Sequence, residues 1–348
     1  MLKGTEVGSL TASREGSGPA SWPETAWHKG KAIHYPKQSA IFDNLKECIE
    51  SNILIGHKPN APLLNKDSRL TTIGSCFAAE LRHFLSDVNL SSNSFWVPSG
   101  LNNTFALRDF ISWCATGKET SSGYRYERKS DGSVADWIPN DSQQEYFEHL
   151  QQTDAFVFTL GLSEVWEDIQ TGKVFWRGIP EQIFETNRHN FRQTTVQENA
   201  ENLKDIVALI RSINPKAHII FTLSPVPLKA TFNQHSCVTS DCVSKSTLRI
   251  AINEAMQNDS TNLWYWPSFE IVKWMGCHLP YPVYGTDDGN VRHVSRHVVI
   301  QIIESFINAF YGENIAFKAF ENYVPSLKVL KGKDGQPPFI YKGTIVKG

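Results

Sequence analysis

The sequence predicts an α/β protein with a mainly parallel sheet covered by helices on both faces. Three observations carry that reading. Phe156–Leu160 and Ala217–Leu223 are short, near-continuous apolar runs, the composition of strands buried on both faces. Between them Leu203, Ile206, Val207, Ile210 and Ile213 recur at helical spacing, and Asn214-Pro215 stops the helix. Strand-like and helix-like stretches then keep alternating, the order that builds parallel strands joined by crossover helices.

Taken in order, a helix is expected over 39–52, with Ile41, Leu45 and Cys48 on one face. A β-prone run at 69–73 leads directly into a helical pattern at 76–85, and a second helix is expected at 104–115. Residues 117–140 are polar, with Gly, Ser and Asp clusters, and read as a loop or small hairpin. The strand at 156–160, the helix at 202–213 and the strand at 217–223 follow. A helix at 244–256, a strand at 262–265 and a last helix at 295–310 complete the pattern. In that last helix Val299, Ile302, Ile303, Phe306 and Phe310 share a face.

With 348 residues the chain has room for a substantial core, and 41% apolar with 20% charged residues is globular composition. Residues 1–36 are rich in Gly, Ser and Pro and read as a flexible arm. Residues 37–310 form the α/β domain, and 311–348 read as a C-terminal extension. A net charge of −2 provides no basic field for nucleic acid or an anionic membrane. No apolar run is long enough to span a bilayer, and the first 36 residues lack the apolar stretch of a secretory signal. The six cysteines contain no Cys-x-x-Cys pair. Cys237 and Cys242 are close, but no second ligand pair has zinc-site spacing. Reduced thiols and a cytoplasmic location are therefore expected, with no metal and no cofactor.

Ligands of open α/β sheets bind beyond the carboxyl ends of the strands. After the first strand comes Gly74-Ser75-Cys76. Gly permits a sharp turn, and Ser75 falls at a helix start, where unpaired N–H groups and the helix dipole favour negative charge. That suits a hydroxyl nucleophile; it equally suits a plain helix N-cap. Cys76 is the rival nucleophile, since a thiol at a helix N-terminus is acidified, although small buried cysteines are common packing residues.

The stretch Thr72-Ile73-Gly74-Ser75-Cys76-Phe77-Ala78 resembles the signature of the GSCFA family. Thr159-Leu160-Gly161-Leu162-Ser163-Glu164-Val165-Trp166 and Thr222-Leu223-Ser224-Pro225-Val226-Pro227 also resemble it. The likeness continues through Lys229-Ala230-Thr231-Phe232 and Ser244-Lys245-Ser246. That family is grouped with the SGNH (GDSL-like) hydrolases. The resemblance implies a flavodoxin-like three-layer fold and ester hydrolysis or acyl transfer, often on acetyl groups of carbohydrates. It places Ser75 as nucleophile, with its backbone N–H as an oxyanion donor. Gly161-Leu162-Ser163 stands where the superfamily has Gly, any residue, Asn, so Gly161 and Ser163 become oxyanion candidates. A replacement amide is sought at Asn102 or Asn103, for which plain turn chemistry is the alternative role.

The resemblance also expects a histidine just before the last helix, three residues after an aspartate. His293 is in that place, with Asn290 three positions before it. Asp288 is favoured as the group that orients it. Asp287, Asn290 and a backbone carbonyl remain alternatives, and His297 is the reserve base. Glu164 and Trp166 are candidate pocket residues, the Trp as a stacking face for a sugar ring, against a bland role as helix start and core aromatic. The expected function is a serine esterase acting on an O-acyl, chiefly acetyl, ester of a small molecule or carbohydrate. An O-acyltransferase with the same residues and an inactive carbohydrate-binding or assembly protein are the alternatives. The sequence leaves the oligomeric state open.

Overall fold

The computed structural model describes residues 7–11, 25–29, 35–37, 40–41, 44–90, 97–98, 101–118, 125–257, 259–279, 281–286 and 289–315, with 7–11, 25–29, 76, 127 and 128 described by backbone alone. The C-terminal extension beyond 315 and both Asp287 and Asp288 lie outside the described residues. Within the N-terminal arm, β1 (Val7–Thr11) and β2 (Thr25–Lys29) pair antiparallel.

Among the described residues the central sheet has four strands, all parallel. They are β3 (Leu70–Gly74), β6 (Ala155–Leu160), β10 (His218–Leu223) and β11 (Leu263–Trp266), in the spatial order β11-β10-β6-β3. The register aligns Gly74 with Thr159, and Leu160 with Leu223. Three strands therefore reach one edge together, at Gly74, Leu160 and Leu223.

The period of two along each strand divides the core. Phe156, Phe158, Ile219 and Phe221 face one side; Ala155, Val157, Ile220 and Trp266 face the other. The first side is covered by α3 (Thr104–Thr116), α4 (Gln143–Gln152), α5 (Val196–Ile213) and α6 (Cys237–Met256). The second is covered by α1 (Leu45–Cys48), α2 (Cys76–Asp87) and α7 (Arg296–Tyr311). Each fully buried Phe or Ile here contributes roughly 1.5–3 kcal/mol relative to exposure. The result is a three-layer α/β sandwich with a parallel sheet in the middle.

Helix starts carry the chemistry they need. Ser142 with Glu145, and Thr195 with Glu198, form capping boxes that begin α4 and α5. The polar region 117–140 contains a small hairpin of β4 (Tyr126–Arg128) and β5 (Val134–Asp136). Between β6 and α5 lies a second sheet of β7 (Glu164–Asp168), β8 (Lys173–Val174) and β9 (His189–Gln193), antiparallel in the order β8-β7-β9. Glu164 and Trp166 therefore sit on a strand, not at the helix start considered for them. No helix among the described residues is long and apolar enough to cross a membrane.

Candidate active site

The turn after β3 is built around one close approach. Gly74 has φ +122°, and a Cβ placed there would lie 2.1 Å from the Thr159 carbonyl oxygen. Only glycine fits the conformation and the space. The turn delivers Ser75 to the N-cap position of α2, with φ −78° and ψ −175°. Its side chain makes no capping hydrogen bond. Its Oγ is buried and has no partner among the described residues, His293 included. A serine used as a plain cap would turn its oxygen to the N–H of the second or third helical residue; Ser75 does not. The Ser75 N–H is engaged, donating to the Thr159 carbonyl at 3.1 Å. This corrects the expectation that it is a free oxyanion donor.

The exit of β6 is also tied down. The N–H groups of Gly161 and Leu162 donate to the Asn102 carbonyl at 2.8 and 3.2 Å. A Cβ on Gly161 would sit 2.9 Å from that of Asn102, so the two backbones pass in direct contact. The Gly161 carbonyl accepts from the buried Lys245 ammonium.

Ser163 departs from its expected role. It is fully buried; its N–H donates to Ser244 Oγ at 2.8 Å, its hydroxyl donates to the Ser244 carbonyl at 3.2 Å, and its oxygen accepts from Gln193. The hydroxyl is used inside a β6–α6 clamp and does not face a ligand. Asn103 is likewise committed. Its Oδ1 accepts from Ala106 N–H at 2.9 Å as the cap of α3, and its Nδ2 donates to the Trp176 carbonyl at 3.2 Å. Of the two candidate amides, Asn102 is the one whose Oδ1 is buried without a partner.

His293 is carried on a loop strapped to the exit of β10. Tyr284 Oη donates to the Pro225 carbonyl at 3.1 Å and the Arg292 guanidinium donates to that of Pro227 at 3.0 Å. Across the loop, Gly285 N–H donates to His293 O at 2.9 Å and Ser295 N–H donates to Val283 O at 2.7 Å. Asn290 Oδ1 accepts from Arg292 N–H at 3.2 Å, which turns the amide nitrogen toward the imidazole. Nδ2 then donates to His293 Nε2 at 3.2 Å, leaving Nε2 as the basic nitrogen of the ring. Asp288, the favoured orienting acid, lies outside the described residues, as does Asp287; Asn290 supplies a visible orienting contact.

His293 lines a cleft of about 430 Å³ with Phe77 of the first turn of α2, Pro225 and Val226 of the β10 exit, and Arg296 and Val299 of α7. Glu80 and Arg296 pair at 2.5 Å on its wall. His297 is 8% exposed, and its ring packs edge-on against Tyr281 at 4.7 Å. His189 is held by Glu185 N–H at Nδ1, at 3.0 Å, and by the ring of Phe175. Among the described residues no group of three or more His, Cys, Asp or Glu is gathered for a metal ion.

Asn102 lines a second pocket of about 270 Å³ together with Leu162, Glu164, Trp166, Phe191 and Phe232. Burial raises the Glu164 carboxyl above the usual range; hydrogen bonds from Thr231 and Asn233 pull the other way. The sequence offered Trp166 and Glu164 as pocket residues through their position after β6, and Asn290 as one of the groups that could orient the base, but nothing in it signalled Phe191 and Phe232 beside Trp166.

The class defined so far is a three-layer α/β protein with an unbonded serine hydroxyl and a loop histidine at the carboxyl edge of its sheet. The chain belongs to the GSCFA family, whose model matches residues 69–306. Among solved structures it is similar to a family 2 carbohydrate esterase with a carbohydrate-binding domain from Corynascus thermopiles (Myceliophthora fergusii), at 16% identity and TM-score 0.31, over 76% of this chain and 68% of that one. It is also similar to a family two carbohydrate esterase from Clostridium thermocellum in complex with cellohexaose, at 13% identity and TM-score 0.34, over 72% and 66% of the two chains. An acetyl xylan esterase from the rumen bacterium Butyrivibrio proteoclasticus is matched at 13% identity and TM-score 0.32, over 72% and 64%. The chain spans about two thirds of the length of each. No curated protein matches the sequence.

Proposed function

We propose that the protein is a serine esterase acting on an O-acyl ester, with Ser75 as nucleophile and His293 as general base. The observation that carries this reading is the Ser75 hydroxyl itself. It occupies the N-cap of α2 without capping it, buried and unpartnered at the carboxyl edge of a parallel sheet. A polar group left this way costs stability, roughly 1–3 kcal/mol, and such groups call for a functional explanation.

In the first half-reaction Ser75 Oγ bonds to the ester carbonyl carbon while its proton passes to His293 Nε2, which exchanges the Asn290 N–H for the serine. The tetrahedral oxyanion is stabilised by the positive end of α2 and by the Asn102 side-chain amide. Collapse breaks the ester C–O bond, and His293 returns the proton to the departing alcohol. Water then attacks the acyl-serine by the same route. An alcohol in place of that water turns the same residues into an acyltransferase.

The test is hydrolysis of p-nitrophenyl acetate by wild type, Ser75→Ala and His293→Ala, with fluorophosphonate labelling alongside. Turnover and labelling in wild type, lost in both folded variants, support the reading. A wild type that neither labels nor turns over with this ester or with acetylated sugars defeats it.

A further inference from the structure

Apart from Asn102 itself, the pocket beside it takes no part in the steps above, yet it is furnished for a ligand. Trp166 on β7, Phe191 on β9 and Phe232 in the segment after β10 meet edge to face, with centroids 4.9, 5.2 and 5.3 Å apart. Phe232 is 70% exposed, so this aromatic surface is presented to solvent at the rim. Deeper in, Glu164 is 4% exposed. Its Oε1 accepts from Thr231 Oγ1 at 2.9 Å and from Asn233 Nδ2 at 2.5 Å, while Oε2 receives neither bond. Asn102 Oδ1, on the same lining, is buried and has no partner among the described residues.

A fitting ligand must bring hydrogen-bond donors to two acceptors and an apolar face to the rings. The geometry points to a sugar-binding subsite: Glu164 Oε2 and Asn102 Oδ1 receive hydroxyl protons of a single pyranose whose C–H face lies on the exposed Phe232 ring, with Trp166 against its edge. A cationic ligand fits worse. Arg177 shares the lining, and the three rings touch one another, leaving no space among them to enclose an ammonium group. The volume, about 270 Å³, lies just below the range of drug-sized pockets and suits one ring.

The place of the pocket links it to the serine. The Asn102 carbonyl holds Gly161 N–H, two residues beyond the Thr159 carbonyl that holds Ser75 N–H. On the esterase reading a sugar here is the alcohol part of the ester. That assignment rests on the esterase reading, whereas binding of the sugar does not.

The experiment is ligand-detected NMR titration of the full chain carrying Ser75→Ala. The probes are methyl β-glucopyranoside, methyl β-xylopyranoside and the methyl β-glycoside of N-acetylglucosamine, with tetramethylammonium as the cationic control. At least one pyranoside is expected to saturate in the millimolar range. Phe232→Ala, at an exposed position, and Glu164→Gln are each expected to weaken it about fivefold or more, near the loss of one good contact. No saturation by any of the three sugars, saturation unaffected by both variants, or binding of tetramethylammonium alone overturns the inference. If sugars bind but wild type hydrolyses no ester, the esterase reading fails and the subsite stands. If wild type hydrolyses esters and no sugar binds, the subsite alone fails.

Discussion

Gly74 and Thr159 approach so closely that the glycine hydrogen faces a carbonyl oxygen: a Cβ on Gly74 would lie 2.1 Å from Thr159 O. This contact sets the direction in which the chain leaves β3 and so where Ser75 stands. With φ at +122° the backbone is also one that L side chains rarely adopt. Gly74→Ala is expected to destabilise the protein by about 3 kcal/mol or more, from strain and the displaced β6 carbonyl. Thermal unfolding followed by circular dichroism reads this; an unchanged Tm would show that the turn relaxes freely.

Ser75→Ala has opposite stability signs under its two readings. A capping serine replaced by alanine loses about 1 kcal/mol. Ser75 makes no cap, and its buried Oγ lacks a partner. Its removal is expected to leave stability unchanged or raise it by up to about 1 kcal/mol. Esterase turnover falls at least about 1,000-fold in the same variant. A lower Tm with retained turnover would return Ser75 to plain capping.

The layered fold was readable because it rests on apolar content that does not depend on partners. Phe156–Leu160 and Ala217–Leu223 are strands almost as the sequence drew them, and α7 begins within one residue of its expected start. The β7-β8-β9 sheet was missed because its strands are short and charged. Glu167 and Arg192, which hold β7 to β9, look in sequence like solvated residues. At the site, the serine turn and the histidine loop were visible as strand-exit and pre-helix positions. The clamp of Ser163 was not, because Ser244 is 81 positions away in the chain; for Asn103 the cap to Ala106 is local, and the bond to the Trp176 carbonyl spans 73 positions.

Ser163 separates a structural clamp from an oxyanion donor. Its hydroxyl lies between Ser244 and Gln193 in a fully buried setting. Ser163→Ala removes the hydroxyl's bonds to Ser244 and Gln193, although Ser244 Oγ keeps the backbone N–H of residue 163 and Gln193 keeps the Thr194 carbonyl, and is expected to cost about 1 kcal/mol. The turnover of the folded fraction should stay within a few-fold of wild type. Loss of an oxyanion donor would instead lower kcat by about 100-fold or more, an outcome that would restore Ser163 to the site.

Acid sensitivity is expected from His149, which contacts Thr71 Oγ1 near the start of β3 at 3.3 Å. Burial, and then the Arg69 charge, lower its pKa to about 4 from the usual 6.5. Between these values the unfolded chain binds the proton and the folded chain does not. Stability from the neutral ring is therefore present above about pH 6.5 and is lost as pH falls toward 4. His149→Gln should flatten that part of the stability profile. Urea midpoints at pH 4.5, 5.5 and 7 provide the measurement, and parallel profiles for wild type and variant would remove His149 as the cause.

Asn290 sits where the superfamily resemblance expects an aspartate, and it contacts the ring by donating to His293 Nε2 at 3.2 Å. Asn290→Ala removes that donor and is expected to lower kcat about tenfold with KM little changed, because the ring loses its orienting contact. Asn290→Asp places an acceptor of a ring N–H where Asn290 donates, which reverses the tautomer and frees the opposite nitrogen. kcat should therefore change more than KM in this variant as well. A kcat equal to that of wild type in both variants would mean that His293 is not the base, which would then have to be sought elsewhere on the cleft wall, where His83 is another imidazole.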